Sequence, residues 1–155
     1  QDNEISWIDW SLLEKNKDLF EFFKFMIDYR KKHPVIRKKL DNAVCGMEAM
    51  HAHDVNAERM EVPQNAKTLA VSFAGYDRKK GKDDLVYVAV NAYWEEVKIT
   101  LPNLANHGAW YLSVDTYGDE KGKYFYQEGE EIRIDREYVM KPRSIVVFTG
   151  REILR

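Results

Sequence analysis

One cysteine in 155 residues, Cys45, excludes an internal disulfide framework and is compatible with a reducing compartment. Long apolar runs are missing too. None approaches the roughly 18 to 20 residues that cross a bilayer, and the opening Gln1-Asp2-Asn3-Glu4 has neither a basic n-region nor an apolar h-region. Charge of one sign is also lacking. The 24 basic and 26 acidic residues nearly cancel and are interspersed, so no field exists to draw nucleic acid or an anionic membrane. Nor is there a Gly-x-Ser-x-Gly elbow, a phosphate-cradling glycine loop or a Cys-x-x-Cys pair. These absences give a globular chain with no nucleic-acid or membrane partner, no cofactor and no metal as the expectation. The expected location is the cytoplasm.

What is present divides into a helical start and a strand-rich remainder. Ser11-Leu12-Leu13-Glu14 has the Ser-x-x-Glu spacing of a capping box at a helix start. From Asp18 to Lys32, Leu19, Phe23, Met26 and Ile27 fall on one helical stripe, while Phe22, Phe25 and Tyr29 form a second. His33-Pro34 then ends the helix, because the residue before proline is pushed out of the α region. A helix packed on a single sheet needs one apolar stripe, so two stripes predict partners on two sides. One of them is expected outside this chain. The start agrees, since it has no initiator Met and runs directly into Ile5, Trp7, Ile8 and Trp10.

Short alternating segments separated by turn signals follow from Thr68 onward, the pattern of an antiparallel sandwich or barrel. Thr68–Phe73 alternates strictly. Tyr76–Asp84 reads as a solvated hairpin loop, and Leu85–Asn91 as a nearly continuous apolar, and therefore central, strand. Glu96–Leu101, Trp110–Val114, Tyr124–Tyr126, Glu131–Ile134 and Ser144–Thr149 bring the candidate strands to seven. Between Asp41 and Ala66 there is no clean period, with Met47, Met50 and Met60 scattered among charges, so this stretch is read as irregular with at most one short strand. The expected fold is mainly β: an antiparallel β-sandwich of about seven strands, preceded by one or two α-helices.

Candidate chemistry is sparse. In His51-Ala52-His53-Asp54 the two imidazoles would share a face of a strand, but a third or fourth ligand at a recognisable spacing is missing, which favours a solvated or capping role over zinc. His107, in Asn106-His107-Gly108, reads as a turn residue, and Cys45 as a small buried hydrophobe. Glu95-Glu96 and Glu130-Glu131 are carboxylate pairs at strand edges or turns, where a charge run is a wet face rather than a catalytic pair. Aromatic rings are the remaining signal, because flat rings with a polar rim suit the apolar faces of sugars. Trp110 reads as sandwich core. Tyr93-Trp94, at a strand end, fits either a core role or a sugar platform, to which Tyr117 or Tyr124 could contribute.

At this point a family resemblance becomes visible. Gln1-Asp2-Asn3-Glu4-Ile5-Ser6-Trp7-Ile8-Asp9-Trp10 resembles the segment after the eighth barrel strand in isoamylase-type and glycogen-debranching members of the α-amylase superfamily. Leu19-Phe20 through Ile27, then Tyr29-Arg30-Lys31-Lys32-His33-Pro34, resembles that superfamily's last barrel helix. Val86–Glu95, with its Asn91-Ala92-Tyr93-Trp94-Glu95, resembles a strand of the terminal domain that precedes one finishing in Leu-Pro, here Leu101-Pro102. Trp110 with Val114-Asp115-Thr116, and Arg143–Val147, match later strands. The likeness departs between Met47 and Val62, where Met50-His51-Ala52-His53 stands in place of a Trp-His-Gly-like or Phe-His-Gly-like stretch.

The resemblance implies a parent glycoside hydrolase with a β/α barrel, whose Asp nucleophile, Glu acid/base and second Asp all precede Gln1. Residues 1–40 would then be the end of that barrel and 41–155 the terminal sandwich. No catalytic residue is assigned to this chain, which alone should be inactive. Its partners would be its own barrel and an α-glucan of the glycogen or starch type, with self-association through the bare helix as a by-product. Gln1, Asp2, Asn3 and Glu4, implied to lie near the substrate cleft, and Tyr93 and Trp94 are the candidate substrate contacts.

Overall fold

A computed structural model describes residues 2–57, 62–105 and 108–151. Two compact units divide the chain, Gln1–Lys32 and His33–Arg155.

The first unit is helical. A four-residue turn of helix, α1 (Leu12–Lys15), is followed by α2 (Lys17–Lys32). The expected capping box does not form. Ser11 has helical backbone angles, and its side chain makes no cap bond. Instead its N–H and hydroxyl both donate to the Asp9 carboxylate, at 2.9 and 2.6 Å. Those two bonds hold the Asp9 carboxyl below its ordinary range. The competing local bond wins because Asp9 reaches Ser11 two residues on, a short Asx turn. α2 ends as expected at Lys32, with Arg30, Lys31 and Lys32 in the last turn, where cations complement the helix dipole. The two stripes have different fates. Phe25 and Tyr29 are buried and Phe22 and Met26 half-buried, whereas Leu19, Phe20, Phe23 and Ile27 are exposed.

The second unit opens with a 3₁₀ turn, Pro34–Ile36. Among the described residues eight strands follow: β1 (Met50–His53), β2 (Thr68–Asp77), β3 (Lys82–Asn91), β4 (Val97–Thr100), β5 (Ala109–Asp115), β6 (Ile132–Ile134), β7 (Glu137–Met140) and β8 (Ser144–Arg151). They form an antiparallel six-stranded sheet in the order β1-β2-β3-β8-β5-β6 and a two-stranded sheet, β4-β7. The apolar β3 is interior, as its composition predicts. Its inward side chains Leu85, Tyr87 and Ala89 meet Trp110, Leu112, Val146 and Phe148, and Ile99 and Met140 of the smaller sheet join the same core. Tyr87 packs on Trp110 and Phe148, and Tyr138 of β7 meets Phe148 edge-on at 5.3 Å. Room for the indole comes from Gly150, which pairs with both Leu85 and Trp110. A Cβ there would stand 2.8 Å from the Leu85 Cβ and 3.1 Å from the Trp110 ring.

Three sequence expectations change. Tyr76–Asp84 is mostly strand, and only residues 78–81 turn, with Gly81 at φ 66°. Its acidic residues are anchors rather than a wet surface. Asp83 accepts the N–H groups of Val44 and Cys45, each at 2.8 Å. Asp84, buried, holds His33 Nδ1 at 2.6 Å and the Val35 N–H at 3.1 Å. Tyr124–Tyr126 makes a single bridge, Phe125 to Val114, because turns on both sides leave it too short for a ladder. And β7 is a strand the sequence hides: Val139 is apolar but exposed, so the alternation of its buried neighbour Met140 is blurred. Among the described residues of 41–66, β1 is the one short strand. Met60 lies outside the described residues.

Candidate functional site

The sequence candidates fall into two groups, one in each unit. In the first, Asp2, Asn3 and Glu4 form a self-contained turn. Asn3 accepts the Ser6 N–H and hydroxyl at 2.9 and 3.0 Å on its carbonyl, and its side-chain oxygen takes the Ile5 N–H at 3.1 Å. Asp2 accepts the Trp7 indole N–H at 2.6 Å. Glu4 is exposed. Gln1 lies outside the described residues, as does His107. Asp2 and Asn3 are thus engaged in shaping their own loop.

The second group is built around Asn91. This residue ends β3, is 1% exposed, and uses its amide fully. Its Nδ2 donates to the carbonyls of Glu95 and Lys141 at 2.9 and 3.0 Å, and its Oδ1 accepts the Tyr93 N–H at 3.0 Å. Three buried bonds from one amide hold the loop 92–95 in a single shape, since an unmade bond there would leave a buried polar group unpaired. The loop is latched again from the other side. Arg143, one residue before β8 and at φ 51°, donates its N–H to the Tyr93 carbonyl at 3.0 Å.

On that frame Tyr93 is half-buried and Trp94 stands 62% exposed. Their ring centroids are 4.2 Å apart, tilted by 40°. The Lys67 ammonium lies 3.9 Å from the Tyr93 ring centre and 5.0 Å from that of Trp94, a cation–π arrangement. Around the pair, Glu95 is exposed and Glu96 forms an ion pair with Lys141. That pairing raises the Lys141 pKa. Tyr117, exposed, leaves β5 beside the start of β8, because Thr116 donates its N–H to the Ile145 carbonyl and its hydroxyl accepts the Ile145 N–H, so it lies at the same end of the sheet. Tyr124 is half-buried and lies over the Gly118 turn. Trp110, by contrast, is core as expected, 2% exposed, with its indole N–H on the Pro102 carbonyl at 2.8 Å.

The histidine pair is brought together and still lacks a metal-binding arrangement. Strand β1 puts His51 and His53 on one face, 4.8 Å between ring centres. His53 is buried, with Nδ1 at 3.2 Å from the Ala57 carbonyl and Nε2 at 2.8 Å from the Ser72 hydroxyl. A neutral ring donating at Nδ1 and accepting at Nε2 satisfies both contacts and leaves no free lone pair. Burial, reinforced by the neighbouring His51, lowers the His53 pKa. His51 instead pairs with Glu48 at 3.0 Å. Among the described residues no three His, Cys, Asp or Glu side chains gather in a metal-binding group. Cys45 is half-buried at the core edge rather than fully buried, and its thiol pKa is pushed up by burial.

Two features of this site were not apparent in the sequence: the anchoring role of Asn91, and Lys67 over the rings. The string Asn91-Ala92-Tyr93-Trp94-Glu95 was the signal for the first. The second has none, because Lys67 reaches the rings only through the pairing of Thr68 with Asn91.

Comparison with known proteins places this geometry in context. Over 39 residues, 25% of this chain and 5% of the relative, it is 49% identical to the glycogen operon protein GlgX homolog of Mycobacterium tuberculosis (strain ATCC 25618 / H37Rv). The Mycobacterium bovis (strain ATCC BAA-935 / AF2122/97) homolog matches equally, 49% over 39 residues. Isoamylase 3, chloroplastic, of Oryza sativa subsp. japonica is 28% identical over 116 residues, 74% of this chain and 13% of that protein. The chain therefore spans a small part of the length of the curated relatives it matches. Residues 44–149, from the turn held by Asp83 to the last core strand, match the family described as isoamylase, C-terminal, and the chain belongs to that family.

Proposed function

We propose that this chain is the C-terminal portion of a glucan-debranching glycoside hydrolase, with residues 1–40 completing the catalytic barrel and 41–155 forming the terminal sandwich. The parent hydrolyses α-1,6 branch points of glycogen or starch with retention, using two barrel carboxylates about 5 Å apart. This chain contributes no catalytic carboxylate. Its work is to stabilise the barrel, in the cytoplasm, where a lone half-buried thiol with a raised pKa is unreactive.

The observation that carries the reading is the exposed stripe of α2. Leu19, Phe20, Phe23 and Ile27, together with Ile5, Trp7, Ile8 and Trp10, put eight large apolar side chains in solvent within 23 residues. Water makes so much exposed apolar surface unfavourable, and a barrel wall would cover it. Family membership and the glycogen-operon and isoamylase relatives support the same conclusion.

The test is the reading frame upstream of residue 1. Barrel strands carrying an Asp nucleophile and a Glu acid/base are expected; a stop codon with a start at this position would sink the reading. Reducing-sugar release from pullulan or limit dextrin should be absent with this chain and present with the full reading frame.

A further inference from the structure

We propose that Trp94, propped by Tyr93 and Lys67, is a docking platform for a linear stretch of α-glucan. The choice of an α-glucan rests on the function proposed above; the existence of a sugar platform rests on the loop itself.

Three observations support it. The indole is 62% exposed although the loop beneath it is held by the three Asn91 bonds and the Arg143 latch. An exposed indole in a loop this tightly organised is pre-positioned, so binding loses little conformational entropy. Next, the indole is not alone. Tyr93 leans on it and Lys67 lies across the pair, fixing the indole's orientation while leaving most of its surface in solvent. Finally, the rim is polar and of mixed sign. Lys67 lies over the rings, the exposed Glu95 follows Trp94 in the loop, and Glu96 is paired with Lys141, so these charges balance and favour neither an anion nor a cation. A flat apolar ring within a neutral, hydrogen-bonding rim matches a sugar, whose ring carbons stack while its hydroxyls bond to charged groups.

An apolar protein partner would ask for a dry rim, since charged groups are depleted at the core of protein interfaces. Here Lys67 lies against the ring and the exposed Glu95 follows it in the loop.

The 155-residue chain is titrated with maltoheptaose, with cellohexaose as the β-linked control, following intrinsic fluorescence. Affinity electrophoresis through glycogen is the second readout. A saturable signal with maltoheptaose and retardation in glycogen are expected. Trp94→Ala should weaken binding about tenfold or more, as loss of one stacked aromatic contact implies, with an unchanged melting temperature. Trp7→Phe with Trp10→Phe should leave the titration intact, which locates the signal. No saturable change in the parent chain, or equal binding after Trp94→Ala, overturns the platform while leaving the debranching assignment untouched. Cellohexaose binding as tightly as maltoheptaose overturns the α-glucan assignment. An upstream frame without a barrel would instead defeat the proposed function, whatever the titration shows.

Discussion

Trp110 and Trp10 are the same residue type in the two units, and they are 2% and 74% exposed. Around Trp110, apolar side chains from both sheets close a core with Tyr87 and Phe148. Around Trp10, apolar side chains of similar size and number find no cover: Ile5, Trp7 and Ile8 before it, Leu12, Leu13 and Leu19 after it. Composition cannot distinguish the two cases. The difference lies in whether the surrounding chain can fold a second layer over them, which alternating strands do within one unit and a lone two-striped helix does not. The sandwich covers its own large rings, and the helical unit leaves most of its large apolar side chains exposed.

The largest effects should fall on the sandwich side of that comparison. Trp110→Ala removes the widest ring of the core and its bond to Pro102, and should cost about 3–5 kcal/mol in urea denaturation. Trp10→Ala should cost under about 0.5 kcal/mol. Equal losses at both sites would erase the distinction between the units. Next comes Asn91→Ala, which leaves the Glu95 carbonyl and the Tyr93 N–H without the Asn91 amide and leaves the Lys141 carbonyl with the Ser144 hydroxyl alone of its two donors. A loss of about 2–3 kcal/mol is expected. It should also free the Trp94 loop, seen as faster hydrogen exchange at Tyr93.

The sequence makes the sandwich more legible than its candidate site, for a physical reason. Strand periodicity is local, so β2, β3, β5 and β8 can be read from alternation and apolar runs alone. β7 escapes because Val139 is apolar on the wet face, and Tyr124–Tyr126 misleads because three residues satisfy a pattern without room for a ladder. Asp83 and Asp84 read as loop because acidic residues beside Lys79 and Lys80 look solvated; their partners lie 38 to 51 residues away. The same holds for Lys67 over Tyr93. Contacts between distant segments are written in register, which no single segment displays. The two-striped helix is the opposite case. Its excess of apolar surface is visible in fifteen residues, from Asp18 to Lys32, and the structure leaves Leu19, Phe23 and Ile27 of one stripe exposed.

A smaller effect concerns acid. Burial lowers the His53 pKa below its ordinary 6.5. As pH falls through about 6.5, the unfolded chain binds a proton that the folded chain refuses, so stability drops until the folded value is reached. Above that window the contribution is complete. His53→Gln keeps an amide able to meet Ser72 but cannot titrate. Its melting temperature should therefore change less between pH 7.5 and 5.5 than that of the parent chain. A parallel pH dependence would remove His53 as the cause, leaving the sandwich without this acid-sensitive point.

The smallest stability effect is the one that most directly probes the bare helix. Phe23 and Ile27 are four residues apart on the exposed stripe of α2, so Phe23→Glu with Ile27→Lys replaces two wet apolar side chains by an i, i+4 ion pair in the favoured orientation. Both new residues have better helix propensity than those they replace. If the stripe is solvated in this chain, the double variant should be as stable as the parent or a few tenths of a kcal/mol more so, while binding less hydrophobic dye and self-associating less. With the upstream barrel present the sign should reverse, because the two new charges would be buried against an apolar wall without partners. A gain in the 155-residue chain and a loss in the full reading frame would show the stripe to be an interface. A loss in both would mean that the sandwich-bearing chain already uses it, and the contrast between Trp110 and Trp10 would then describe exposure without describing purpose.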